Sequence, residues 1–386
     1  CLILSLKLYV FSFIYFFNMK IQHISISRLF DQFDYEIPLA NEAGLVVLTG
    51  PNGYGKTTIL RILGAILGER IIYNNILSKL QNIPFKTINI TFSDGKVMKL
   101  DRTENTPFTM DGLSTYMRTP ISVYRLQDQR ILSLKNADKS KLYNVTLSIT
   151  EFAQQLATTI QQYLSQSDQI ARQLDSSFPL RVLSESVALL ETEFNRRFLQ
   201  VKNKQDLLCL YGIYDVEQAI PSSFDPESGR LLSVYLADTE KKLAVFDPLL
   251  EKLNLFVDII NKRKFANKTL KIDREKGFYF ATPMGKEVEL AYLSSGEQQE
   301  LILLYRLIFT LPATDTLLLI DEPETSLHVV WQETFLDDLL RIMQLYPNQI
   351  QAIVATHSPQ IINLHGDLVV DLYRLQKKNT QNIGNK

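Results

Sequence analysis

Histidine and cysteine are scarce in this chain of 386 residues. His23, His328, His357 and His365 are its histidines, and Cys1 and Cys209 its cysteines. Two cysteines cannot build a disulfide framework, and they fit a reducing compartment. No CxxC pair and no HxxxH or HExxH spacing occurs. That argues against a zinc site or a His-dense nuclease centre within the chain. Net charge is missing too. Lys and Arg number 41 against 42 Asp and Glu, a formal charge of -1. With no global positive field, any binding of nucleic acid must use a local patch. Internal repeats and low-complexity tracts are absent. What remains is 46% hydrophobic and 22% charged, an ordinary globular composition long enough to bury a core without staples.

One segment departs from the average. Residues 1–18 are almost wholly apolar and carry one charge, yet fall short of the about 20 residues that a spanning helix needs. The run is dominated by residues with AT-rich codons and is followed by Met19. It reads as a translated leader upstream of a start at Met19 rather than as an anchor, and no membrane association is expected.

Beyond it, the pattern alternates between strands and helices. Residues 21–26 and 46–48 suit strands, and Thr57 to Leu67 has helical spacing. Residues 87–101 read as a hairpin turning at Asp94-Gly95. From about 137 the chain turns helical, with a capping box at Ser148 and Glu151 and a run that Pro179 is expected to break. A heptad-like stripe from Leu232 to Ile260 spans Asp247-Pro248, a cap followed by a first-turn proline, so two packed helices end to end are expected. Strand-like segments return at 270–272, 278–280 and 288–290. A helix (297–310), a strand (317–320), a helix (329–345), a strand (351–355) and a last strand near 368–373 follow.

Chemistry concentrates at a few points. Residues 50–57, Gly50-Pro51-Asn52-Gly53-Tyr54-Gly55-Lys56-Thr57, match GxxxxGK[ST] between an expected strand and an expected helix. Such a loop turns its N–H groups onto phosphate oxygens at a helix N-terminus, with Thr58 in the first turn. Lys56 would contact the β- and γ-phosphates, and Thr57 would ligate Mg²⁺. The run Leu317-Leu318-Leu319-Ile320-Asp321-Glu322 is a buried strand ending in two acids. Asp321 can order Mg²⁺ there, and Glu322 can polarise the attacking water. Residues 293–299, Leu293-Ser294-Ser295-Gly296-Glu297-Gln298-Gln299, look like a capped helix start. One decoy is Asn203-Lys204-Gln205-Asp206, which matches a guanine-reading NKxD. The residues before it look helical rather than strand-like, so ATP rather than GTP is expected.

Together these segments resemble ABC-type ATPases. Residues 293–299 resemble their signature sequence, and residues 320–328 resemble their Walker B and D-loop. Thr356-His357-Ser358-Pro359 resembles their switch histidine. The likeness is closest to the soluble RecF/SMC and OLD (overcoming lysogenization defect) group, in particular to OLD-like and phage-defence AAA-family ATPases. It covers about 19–75 and 269–373. Glu324 and Leu327-His328 depart from the transporter pattern and fit the OLD-like subgroup better.

The resemblance implies an α/β P-loop NTPase fold: an ABC-type ATPase head with a helical insertion between the Walker A lobe and the signature and Walker B lobe. Its expected parts are an N-lobe (19–136), the insertion (137–268), a C-lobe (269–376) and a tail (377–386). The resemblance also implies a homodimer that sandwiches two ATP molecules, each held by one head's P-loop and by Ser294, Ser295 and Gly296 of the other. His357 would hold the water and the γ-phosphate. A Q-loop glutamine, Gln127 or preferably Gln129, would reach the nucleotide and Mg²⁺. Arg28, Phe30 and Phe33 are candidates for the adenine. Transporter subunits keep a compact subdomain where this chain carries a long insertion, so that reading is weakest. Only 29 residues follow His357, so a Toprim nuclease like that of OLD proteins is not expected. An effector protein on another chain, a nuclease or other toxin, is therefore expected. A basic run (Lys262, Arg263, Lys264, Lys268, Lys271, Arg274, Lys276) is the candidate contact for DNA or an acidic partner.

Overall fold

The structure is a computed structural model that describes residues 20–67, 80–102, 109–111, 122–126, 132–134, 145–185, 189–215, 224–225, 228–312 and 314–376. The expected leader, both Q-loop candidates Gln127 and Gln129, and the expected tail lie outside these residues. The described parts of Cys1–Gln129 and Arg306–Lys386 form one compact unit, and those of Arg130–Tyr305 form a second.

The first unit holds two sheets. Strands β1 (Ile21–Leu29), β2 (Phe33–Pro38), β4 (Thr87–Phe92), β5 (Val97–Asp101) and β6 (Thr109–Asp111) form an antiparallel sheet in the order β2-β1-β4-β5-β6. Strands β3 (Leu45–Thr49), β7 (Ser122–Leu126), β13 (Thr316–Asp321), β14 (Ile350–Ala355) and β15 (Val369–Asp371) form a parallel sheet in the order β15-β3-β14-β13-β7. Leu45 to Leu48, Leu317 to Ile320 and all of β14 are buried, the near-continuous apolar runs that a sheet covered on both faces requires. Helix α1 (Lys56–Leu67) is buried through Ile59, Leu60, Ile62, Leu63 and Ile66. These residues share one core with Ile24 and Ile26 of β1 and Leu317 and Leu319 of β13. This anchoring holds the N-terminus of α1 at the carboxyl end of the parallel sheet, where open α/β sheets place their ligands.

The second unit is mostly helical: α2 (Ser148–Ser184), α3 (Glu191–Leu210), α4 (Gly229–Ala244), α5 (Asp247–Lys262) and α6 (Ser295–Tyr305), with the antiparallel pair β8 (Leu132–Leu134) and β9 (Val145–Leu147) and the antiparallel sheet β10 (Thr269–Asp273), β11 (Gly277–Ala281) and β12 (Glu287–Val288). Residues 269–305, expected with the second ATPase lobe, group here with the helices. Their aromatics explain it: Phe152 of α2 stacks on Tyr305 at 4.7 Å, and Phe256 of α5 meets Phe278 of β11 at 5.8 Å. Gly277 packs so tightly on α2 that a Cβ would sit 1.9 Å from the Ala153 carbonyl oxygen.

Several local expectations change. Helix α2 runs through Pro179 to Ser184 rather than ending there. Proline removes a backbone donor, but Arg181 Nη2 donates to the Leu174 carbonyl at 2.7 Å, and its guanidinium pairs with Asp238 of α4. Those bonds tie down the turn that proline weakens. The two end-to-end helices form as α4 and α5, but Asp247 opens α5 as its first residue and pairs with Lys204, instead of capping it. The helix expected at 297–310 ends as α-helix at Tyr305 and continues as a π-turn, Arg306–Thr310. The helix expected at 329–345 is two, α7 (Val329–Gln332) and α8 (Phe335–Gln344). No described helix is long and apolar enough to cross a membrane.

Candidate active site

The loop from Gly50 to Gly55 leaves β3 and enters α1. Its glycines take positive φ, 140° at Gly50, 86° at Gly53 and 82° at Gly55, which L side chains rarely adopt. Gly55 is also needed for space, since a Cβ there would lie 2.9 Å from Leu29 Cδ2. Tyr35 donates its hydroxyl to the Tyr54 carbonyl at 2.8 Å, pinning the loop to β2. Asn52 and Gly53 are exposed, and Thr58 is half-buried in the first turn of α1.

Lys56 is 5% exposed. Its ammonium donates to the Gly50 carbonyl at 2.7 Å and the Pro51 carbonyl at 3.1 Å, and lies 3.3 Å from His357 Nδ1. Three N–H donors thus meet three acceptors. A ring that accepts at Nδ1 carries its proton on Nε2, which lies 3.6 Å from Glu322 Oε1. Burial lowers the Lys56 pKa, and nearby Glu322, Glu324 and Asp321 oppose the shift.

The Thr57 hydroxyl donates to Asp321 Oδ1 at 3.0 Å. Burial raises the Asp321 pKa, against the Thr57 hydrogen bond and the positive charges of Arg125 and Arg61. A hydroxyl and a carboxylate side by side are hard oxygen donors of the kind Mg²⁺ takes, beside a loop shaped for the phosphates it bridges. The residues present therefore fit Mg²⁺ and a nucleoside triphosphate.

Glu322 follows Asp321 with a left-handed backbone, φ 47°, which costs an L residue about 1–2 kcal/mol. Its N–H is held by the Ala355 carbonyl at 2.8 Å, so the bend is fixed by the neighbouring strand. His357 follows β14, which lies between β3 and β13 in the sheet. That order brings the loop lysine, both acids and the histidine together.

Glu324, singled out in the sequence only as a departure from transporters, accepts the His357 backbone N–H at 2.7 Å. Arg125 and Arg61, close enough to act on Asp321, carried no sequence signal, because isolated arginines in a strand and a helix look like any other. Of the adenine candidates, Phe33 packs on Tyr54 at 5.2 Å and Phe30 lies against Gly55, whereas Arg28 is exposed.

The residues that resemble a signature sequence, Ser294, Ser295 and Gly296, belong to the second compact unit. Ser294 and Ser295 are exposed, and Gly296 has no atom within 4 Å of where a Cβ would stand. Ser294 and Glu297 cap α6 reciprocally: the Ser294 N–H donates to Glu297 Oε2 at 2.8 Å, and the Glu297 N–H donates to Ser294 Oγ at 3.3 Å. Lys268 pairs with Glu297 at 2.9 Å. The NKxD look-alike lies inside α3, with Gln205 buried. A helical segment cannot present the strand-end loop that guanine reading needs.

A family profile described as "AAA domain, putative AbiEii toxin, Type IV TA system" matches residues 45–363. The chain belongs to this AAA family. The AAA domain has the α/β P-loop NTPase fold, with a parallel sheet and a helical insertion. No curated protein matches it. Among solved structures it is similar to the Smc head domain with an extended coiled coil bound to the C-terminal domain of ScpA from Pyrococcus furiosus. That match has 15% identity and a TM-score of 0.41, and covers 92% of this chain and 93% of the other. It is also similar to the SMC head domain from Thermotoga maritima, at 13% identity and a TM-score of 0.37, covering 89% and 91%.

Proposed function

We propose that this AAA domain is a Mg²⁺-dependent ATPase that closes as a nucleotide-sandwich dimer and drives a separate effector in phage defence or DNA processing. The observation that carries this reading is the convergence of Lys56, Thr57, Asp321, Glu322 and His357 on one loop mouth. Lys56 exchanges its carbonyl contacts for the β- and γ-phosphate oxygens. The N–H groups of Gly53, Gly55 and the first turn of α1 take the remaining phosphate charge. Thr57 and Asp321 would hold Mg²⁺, which supplies charge neutralisation at the phosphates when bound. Glu322 orients the attacking water and accepts its proton as the bond from water oxygen to γ-phosphorus forms. ADP leaves with the electron pair of the broken bond. His357 donates from Nε2 to the γ-phosphate. Ser294, Ser295 and Gly296 cover the γ-phosphate of a second copy, with the N-terminus of α6 behind them.

The OLD-like features at Glu324 and Leu327-His328 support the defence reading, and the family's toxin–antitoxin description agrees with an effector on another chain. Direct DNA binding, the mark of a stand-alone RecF-like repair ATPase, is less favoured. Lys262, Arg263, Lys268, Arg274 and Lys276 each pair with an acid, namely Asp258, Glu300, Glu297, Asp215 and Glu287. The test is Glu322→Gln with ATP and Mg²⁺. Light scattering should show the mass doubling and staying doubled, because water activation is lost while binding is kept. A variant that stays at its nucleotide-free mass with ATP bound would end the sandwich reading.

A further inference from the structure

Two segments leave the parallel sheet side by side, the turn after β13 and the loop after β14. Glu324 Oε1 accepts the His357 N–H at 2.7 Å, and Glu324 Oε2 is enclosed without a hydrogen-bond partner among the described residues. Gln332, 8% exposed, closes the same junction from α7. Its amide donates to the Glu324 carbonyl at 3.3 Å and the Leu327 carbonyl at 3.2 Å, and its Oε1 lies 2.7 Å from the Ser358 hydroxyl. The Ser358 N–H in turn donates to Thr356 Oγ1 at 2.9 Å. Thr356 and Ser358 are buried. His357 is therefore gripped on its backbone by a carboxylate and on its next residue by an amide, both rooted in the segment that carries Glu322.

Buried polar groups are costly unless bonded, and a hydrogen bond to a carboxylate is about twice as strong as a neutral one. The three bonds leave His357 little freedom. They set the ring 3.3 Å from Lys56 and 3.6 Å from Glu322. Neither Glu324 nor Gln332 is needed to explain phosphate or Mg²⁺ binding.

We infer that Glu324 and Gln332 are positioning residues that hold His357 in register with Glu322 and Lys56, so that the turn after β13 and the histidine loop move as one element. The inference rests on the ATPase reading for its catalytic consequence, but its structural half does not.

The test has two arms on the full chain. Without nucleotide, ¹H–¹³C spectra of histidine-labelled protein, assigned with His357→Ala, should show the His357 ring signals moving in Glu324→Ala, Gln332→Ala and Ser358→Ala. The signals of His23 and His365 should stay in place. Glu324→Gln keeps an acceptor and should return the His357 signals towards their original positions. With ATP, Glu324→Ala should lower kcat by about tenfold to a hundredfold, the effect of losing one oriented charge-assisted bond. The Kd for ATP should stay within about threefold. Glu324→Ala in a His357→Ala background should cost almost nothing more, because both changes remove one function. Unmoved His357 signals in all three alanine variants, or fully additive losses in kcat, would overturn the inference. Moved signals in a chain that never hydrolyses ATP would defeat the ATPase reading and leave the positioning role standing.

Discussion

Asp321 pays for its position at the mouth of the phosphate loop. Burial raises its pKa above the usual 3.8, in spite of Thr57, Arg125 and Arg61. A carboxyl whose folded pKa is raised binds its proton more readily in the folded chain. The ionised form is therefore a cost that is present above the folded pKa and relieved as pH falls through it towards 3.8. Asp321→Asn keeps an acceptor for Thr57 and removes that cost. Without metal it should melt at a higher temperature than the parent at neutral pH, with the gap closing on acidification. It should also lose the extra stability that Mg²⁺ and ATP confer. Thermal melts across pH, with and without Mg²⁺-ATP, check both halves. A variant that melts lower at neutral pH would mean that Arg125 and Arg61 outweigh burial.

The basic run from 262 to 276 looked uniform in sequence and is not so at the level of the elements. Lys262 reaches Asp258 one turn back on α5, an exposed pair of a kind that contributes at most a few tenths of a kcal/mol. Arg263, 7% exposed, pairs at 3.3 Å with Glu300 of α6, which is 2% exposed. Lys268 grips Glu297 at the start of the same helix. Two members of the run thus hold α6 rather than face solvent. Arg263→Ala should lower stability by about 3 kcal/mol, as expected for removing one partner of a buried pair. Lys262→Ala should change it by less than about 0.5 kcal/mol. Urea titrations of the two variants, read at constant slope, separate these outcomes.

At the scale of the whole molecule, the phosphate loop and the signature residues lie in different compact units of one chain. The sandwich reading pairs them between copies, and mixing tests this directly. Lys56→Ala should disable the loop, and Gly296→Asp should block the helix start, where no atom stands within 4 Å of a Cβ. Each variant alone should be inactive. Mixed one to one, they should form heterodimers with one composite site of two intact halves and one of two damaged halves, so ATPase activity should partly return. No recovery on mixing would place loop and signature in the same copy.

Much of this is legible in the sequence, for physical reasons. The loop at 50–57, the acids at 321 and 322 and the histidine at 357 are local patterns: glycines where φ must be positive, charges where an apolar strand stops. The buried strands of the parallel sheet show as apolar runs because both faces are covered. The roles of Glu324, Gln332 and Arg125 were not legible. Each acts through a partner far away in sequence, and no spacing rule marks such a residue. Pro179 misled for the same reason, since Arg181 and Asp238 keep α2 intact through contacts that the local sequence does not reveal.

The sequence by itself determined the chemistry at the sheet's carboxyl edge, because phosphate binding depends on short-range backbone geometry and on a few adjacent charges. Only the tertiary structure decided which charges remain free to act. Contacts between distant segments engaged Arg263, Lys268 and Arg274 of the basic run with acids, and packing buried Asp321 beside Thr57 and tied His357 to Glu324. Those outcomes depend on distances across the fold, which the order of residues along the chain does not contain.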